Sequence, residues 1–260
     1  MRGAGLLLLA GLLAPAVQAA GSGWYHELTG QQEWQQWRET AQDGRRLVVE
    51  DGRLTGLAAT LGWAPRQGPT AALRLGALWG GRDYRGLSNQ GNDVRTRSDL
   101  GQVFGRVEGG PTPQPLAGTW QWQPLLAAEF GQWRRRLRDA DRAQGYPERY
   151  RQGLVMLGLQ AIDASGARLR VEAGTGPAGS NRVELPGRDA VDLLLGRARS
   201  LRLALGGAAA PAWHWEITAE QLTFAAGDER AVRLQGVALQ SARQPRTELR
   251  RLQFQLGWRG

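Results

Sequence analysis

Alternation of apolar and polar side chains with a period of two recurs along almost the whole chain, and a chain built this way has little to fold into except β-structure. Leu57, Ala59, Leu61 and Trp63 share one face of an extended segment, while Gly56, Ala58, Thr60 and Gly62 share the other. Ala71, Leu73, Leu75, Ala77 and Trp79 are set against Arg74 and Gly76 in the same way, and Leu169, Val171 and Ala173 against Arg168, Arg170 and Glu172. Leu201, Leu203 and Leu205 oppose Ser200, Arg202 and Ala204. Trp213, Trp215, Ile217 and Ala219 oppose His214, Glu216, Thr218 and Glu220, and the last segment sets Leu252, Phe254, Leu256 and Trp258 against Arg251, Gln253, Gln255 and Gly257.

What the two faces meet decides the architecture. A soluble sandwich turns its apolar face inward and fills the space between its sheets with bulky side chains. Here the apolar faces carry Leu, Val and Ala, with many of the 11 Trp near segment ends. This is the pattern of an outward apolar band between aromatic girdles, with the charged face lining a polar interior. The expectation is an all-β fold, a closed antiparallel transmembrane β-barrel of about ten strands at 24–38, 53–64, 70–86, 93–108, 116–135, 148–163, 167–175, 193–206, 213–226 and 247–259. Short turns rich in Gly, Pro and Asp fall at 65–68, 109–115, 163–166 and 206–211. Longer connections fall at 39–52, 87–92, 136–147, 176–192 and 227–246. Weak alternation over 232–241 keeps twelve strands as the alternative.

The first residues address the compartment. Arg2, the apolar stretch Leu6 to Leu13 and the small residues of Val17-Gln18-Ala19 read as a secretory signal peptide, too short to span a bilayer as a helix. The expected division is a signal peptide at 1–19 and one barrel domain at 20–260. Removing Arg2 from 33 basic residues leaves 33 − 1 = 32 against 24 acidic ones, a formal +8. All the basic residues are Arg. With no Cys and two His, thiolate catalysis, disulfides and Cys-ligated metals are excluded, and no cofactor or metal site is expected.

The stretch Tyr84-Arg85-Gly86-Leu87-Ser88-Asn89-Gln90-Gly91, the stretch Gly145-Tyr146-Pro147-Glu148-Arg149-Tyr150 and the amphipathic last strand resemble a family of small proteobacterial outer-membrane barrels. The resemblance implies residence in the outer membrane of a Gram-negative bacterium. It also implies insertion by the barrel-assembly machinery through the last strand. Such proteins commonly end on an aromatic residue, whereas this chain places Trp258 two residues before Gly260.

Three classes of function fit this frame. The first is a non-catalytic barrel, structural, surface-exposed or a narrow pore, whose interior is filled by the lumen charges Arg74, Arg106, Glu129, Arg168, Arg170, Glu172, Arg202, Glu216 and Glu220. The second is a barrel hydrolase, omptin-like or lipid A-modifying, which needs a base at the outer mouth. His26 and His214 both fall at the opposite end, and Asp83, Asp93 and Asp99 read as solvated acids beside Arg82, Arg95 and Arg97, so no catalytic residue is assigned. The third is a periplasmic lipocalin-like binding protein, which requires the apolar faces to turn inward. The run Arg134, Arg135, Arg136 and Arg138 at the expected outer rim reads first as a solvated loop and, as a contact, suits phosphates of lipopolysaccharide better than nucleic acid, alongside membrane lipid as the general partner. The oligomeric state is left open. Arginine at Leu203, on the apolar face, is expected to impair insertion, and leucine at Arg202 to be milder.

Overall fold

Ten long strands close on themselves in the computed structural model, which describes residues 23–65, 67–87, 92–140 and 144–260. The expected signal peptide at 1–19 lies outside the described residues. The wall is formed by β1 (Trp24–Thr40), β2 (Arg46–Trp63), β3 (Thr70–Leu87), β4 (Asp93–Gly110), β6 (Trp120–Leu137), β7 (Pro147–Asp163), β8 (Arg168–Val183), β9 (Val191–Ala210), β10 (Trp213–Phe224) and β13 (Arg246–Arg259). Three short strands lie outside the ring: β5 (Gln114–Ala117), which pairs with the start of β6, and β11 (Arg230–Leu234), which pairs with β12 (Val237–Ala242) in a separate sheet. Neighbouring wall strands pair in the order β4, β3, β2, β1, β13, β10, β9, β8, β7, β6, and an antiparallel β4–β6 pairing shuts the ring. Closure satisfies the backbone donors and acceptors that an open sheet leaves at its edges.

The weak alternation at 232–241 belongs to the β11–β12 hairpin, a separate two-stranded sheet, so the wall has ten strands and not twelve. One end of the barrel, here the lower, carries the short turns and the ends of β1 and β13; the other, the upper, carries the longer connections. The β7–β8 turn shows why the lower turns can be tight. Asp163 accepts backbone hydrogen bonds from Gly166 and Ser165, the latter through its carboxylate, and Gly166 takes φ of 87°, a conformation open to glycine.

The outer wall is apolar over its lower half. Leu57, Leu61, Leu73, Leu75, Leu126, Leu157, Leu203, Leu205 and Leu256 are all exposed, Leu157 by 67%. A contiguous belt of this kind is stable only against an apolar surrounding. A girdle of Trp24, Trp63, Trp120, Trp122, Trp213, Trp215 and Trp258 closes the belt below, and Trp34, Trp79 and Phe130 mark it above. The lipocalin-like alternative needs the reverse orientation and is overturned by these exposures.

Above the belt the alternation changes sign. On β1, Trp34 faces out while Trp37 faces in; on β6, Arg134 and Arg136 face out while Trp133 and Leu137 face in; on β9, Arg197 and Arg199 face out while Leu193 and Leu195 face in. The upper half is therefore built like a soluble barrel, with a core of Trp37, Trp133, Tyr150, Phe224, Met156 and their apolar neighbours inside it. This core explains two departures from expectation. β2 begins at Arg46 and β8 runs to Val183, so much of the expected loops at 39–52 and 176–192 is strand, because Val48 and Val183 have an apolar interior to pack into.

Candidate functional site, a charged lumen

All nine expected lumen charges point into the barrel, and the register turns them into a network. Glu172, Arg202, Glu220 and Arg251 lie directly opposite one another on β8, β9, β10 and β13, a ladder of alternating sign across four consecutive strands. Opposite-sign neighbours in such positions attract, where like signs would repel. On the facing wall Arg106 pairs in register with Glu129. The two walls then meet across the lumen: Arg202 donates to Glu129 at 2.6 Å and to Glu172 at 3.2 Å, and Arg106 donates to Glu129 and Glu172. Arg251 joins at 2.6 Å from Glu220. Glu172 is 1% exposed.

A second group lies below. Arg170 bridges Glu108 at 3.2 Å and Glu216 at 3.3 Å, and Arg168 approaches Glu216 at 3.9 Å. At the lower mouth His214 Nε2 is 2.9 Å from Glu27, which Arg259 also meets at 3.2 Å. Arg259 lies over the ring of Tyr25, 4.4 Å from its centre, and Gly62 leaves the space that ring occupies. His26 is on the outer wall beside Trp258. Both histidines are thus at the lower end, as the sequence suggests.

A third group, missed by sequence reasoning, sits in the upper half against the aromatic core. Trp133 stacks on Tyr150 with ring centres 5.2 Å apart and planes 12° from parallel, and Trp37 meets Tyr150 edge-on at 5.3 Å. Arg135 lies between Trp37 and Tyr150, 5.7 Å from each ring centre, paired with Glu148 and with Glu50 at 3.1 Å. Arg82 meets the same Glu50 at 3.2 Å. Tyr150 and Trp37 donate to Glu148 at 3.0 Å and Glu39 at 2.9 Å. Just above, Tyr146 packs on the core, and burial pushes its hydroxyl pKa well up.

This corrects one expected contact. Arg135, counted with the outer rim, is 3% exposed and is held inside by carboxylates, because a strand sends alternate residues of an arginine run to opposite faces. Arg134 and Arg136 do face out, and Arg138 lies at the upper rim, 2.7 Å from Asp99. Arg134 stands directly opposite Arg149 of β7, also on the outer face. Among the described residues neither Arg134, Arg136 nor Arg149 has a carboxylate within 4.0 Å, and Arg151 next to them takes only Gln132 at 2.9 Å. Asp83 meets Arg97 at 3.4 Å and Asp99 meets Arg138; among the described residues no three His, Asp or Glu side chains are grouped to hold a metal.

No protein-family model matches the chain, and no curated protein does. Solved structures do. The outer membrane protease OmpT from Escherichia coli superposes with a TM-score of 0.57 at 10% identity, over 92% of this chain and 96% of that one. The translocator domain of autotransporter NalP from Neisseria meningitidis gives 0.43 at 12% identity, over 93% and 90%. Ail of Yersinia pestis gives 0.41 at 9%, over 91% and 99%. The OmpT superposition and the closed antiparallel ring of ten strands give the chain the fold of Gram-negative outer-membrane β-barrel proteins.

Proposed function

We propose that this chain is an outer-membrane barrel with a lumen closed to solutes, serving as a structural, surface-facing protein rather than as an open pore. The reading rests on one observation: the lumen is crossed twice, by the Arg106–Glu129–Glu172–Arg202 network and by the Trp37–Trp133–Tyr150 core. In this reading residues 1–19 direct export, the barrel-assembly machinery inserts the chain, the apolar belt lies in the bilayer, and the short turns face the periplasm. The outward arginines Arg134, Arg136 and Arg149, with Arg138 at the rim, then stand at the level of lipopolysaccharide phosphates.

Planar-bilayer recording tests the closure. Folded protein is expected to give no conductance steps above the bare membrane, and Trp133→Ala alone is expected to stay silent because the ion network still crosses the lumen. Stable unitary conductance from the unaltered protein would overturn the reading.

A further inference from the structure

The lumen holds a chamber of about 540 Å³, lined by Arg106, Glu129 and Arg202 of the ion network together with Arg74, Arg168 and Arg170, with Pro65, Pro113 and Pro211 at its lower end. Its ion pairs are shared unequally. Arg170 has Glu108 and Glu216; Arg259 has Glu27; Arg168 reaches only Glu216, at 3.9 Å, a carboxylate that Arg170 already holds. Arg74 has no carboxylate within 4.0 Å among the described residues. Its sole hydrogen bond goes to the neutral side chain of Gln255, and its Nε, like that of Arg170, is buried with no partner. The register sharpens the imbalance: Arg74 stands directly opposite Arg106 on β4, and Arg106 takes Glu108, Glu129 and Glu172. On its other side Arg74 faces Thr60, which is neutral.

A like-charge pair across two strands is unfavourable, and a guanidinium drawn out of bulk water with an idle donor is more so. The arrangement is relieved by an anion supplied from outside. A guanidinium is a planar fork of donors that fits two oxygens of a phosphate or carboxylate, and Arg74, Arg168 and Arg170 line one chamber. Neutral donors and acceptors line the same wall, with Gln123 hydrogen-bonded to Thr70 at 2.8 Å and Gln160 beside Gln123. We infer that the chamber is a binding site for a small phosphoryl oxyanion, with Arg74 as its principal ligand and Arg168 and Arg170 flanking it. The aromatic core above closes the upper route, so the ligand is a solute of the compartment at the lower end and is held there, not passed across.

Inorganic phosphate, added to protein refolded in a neutral detergent at ionic strength held constant with chloride, is the probe. Thermal unfolding is read by the gel shift between folded and unfolded barrel, and binding by calorimetry. Phosphate is expected to raise the unfolding midpoint of the unaltered protein by several degrees and to bind it with measurable heat. Arg74→Gln is expected to remain folded, to melt no lower than the unaltered protein without phosphate, and to lose at least tenfold in affinity. Arg197→Gln, on the outer wall, is expected to bind as the unaltered protein does. A phosphate carried on a small organic solute competing with inorganic phosphate at the same site would identify the source as an organic phosphate and support the site. No binding by the unaltered protein, or equal binding by Arg74→Gln, overturns the inference.

Discussion

Arg202 shows at the scale of a single residue how the structure changes the meaning of a sequence position. From alternation alone Arg202 is a polar lumen residue that leucine replaces at small cost, while Leu203 is the sensitive neighbour. Its contacts reverse this: Arg202 is shared by Glu129, Glu172 and Glu220, and leucine there leaves three enclosed carboxylates short of a cation. Breaking a buried ion pair by removing one partner costs about 3–5 kcal/mol, against about 2–4 kcal/mol for an arginine placed at the bilayer midplane. Arg202→Leu is therefore expected to be at least as damaging as Leu203→Arg, read as the shift of the urea unfolding midpoint in micelles. Adding Glu129→Gln to Arg202→Leu is expected to recover part of the loss, since one of the stranded charges goes with it. A negligible effect of Arg202→Leu would mean that water, and not Arg202, compensates these carboxylates.

Strands were legible from the sequence wherever the alternation keeps one sign, and illegible where it turns over. All ten wall strands overlap the period-two runs that announce them, although β9 continues to Ala210 through most of the turn expected at 206–211. The upper extensions of β2 and β8 and the interior position of Arg135 were not, because the signal there is inverted and an uninterrupted arginine run has no visible alternation. A sequence signal for the upper core did exist: Trp34 and Trp37 are three residues apart and cannot share a face of one strand, so one of them had to be inside. The same parity builds the outer arginine face on β6 and β7. Arg134 and Arg149 oppose each other in register with no carboxylate within 4.0 Å among the described residues, an arrangement that an anion of the surrounding membrane would offset. Lipopolysaccharide is thus expected to raise the thermal unfolding midpoint of the refolded barrel, and the double change Arg134→Gln with Arg149→Gln to remove most of that gain. Arg197→Gln, on β9 and away from this pair, serves as the comparison; a gain undiminished in the double variant would count against this face.

For the whole molecule, the inversion of polarity at mid-height divides one continuous barrel into a lower half with an apolar outside and a charged inside, and an upper half with a charged outside and an aromatic and aliphatic core inside that encloses the Arg82–Glu50–Arg135–Glu148 pairs. Neither half suits the other's surroundings, so the level of the boundary fixes how deep the barrel sits in a bilayer, with the tryptophan girdle below and Trp34, Trp79 and Phe130 above as its edges. Strand β9 crosses the boundary within a few residues: Leu195 is fully buried inside the upper half, Arg199 faces out above the belt, and Leu203 faces out within it. The chain has no Cys, which makes single-cysteine variants at these positions clean reporters. In sealed vesicles a membrane-impermeant maleimide added from the side of the upper end is expected to label Arg199→Cys rapidly. Leu203→Cys should resist it because lipid covers that face, and Leu195→Cys because the aromatic core does. Detergent then separates the two resistant positions, since mild solubilisation that keeps the barrel folded should leave Leu195→Cys protected while a small maleimide that partitions into micelles reaches Leu203→Cys. Rapid labelling of Leu203→Cys in the intact vesicle would place the boundary lower than the polarity inversion does and would break the link between that inversion and membrane depth.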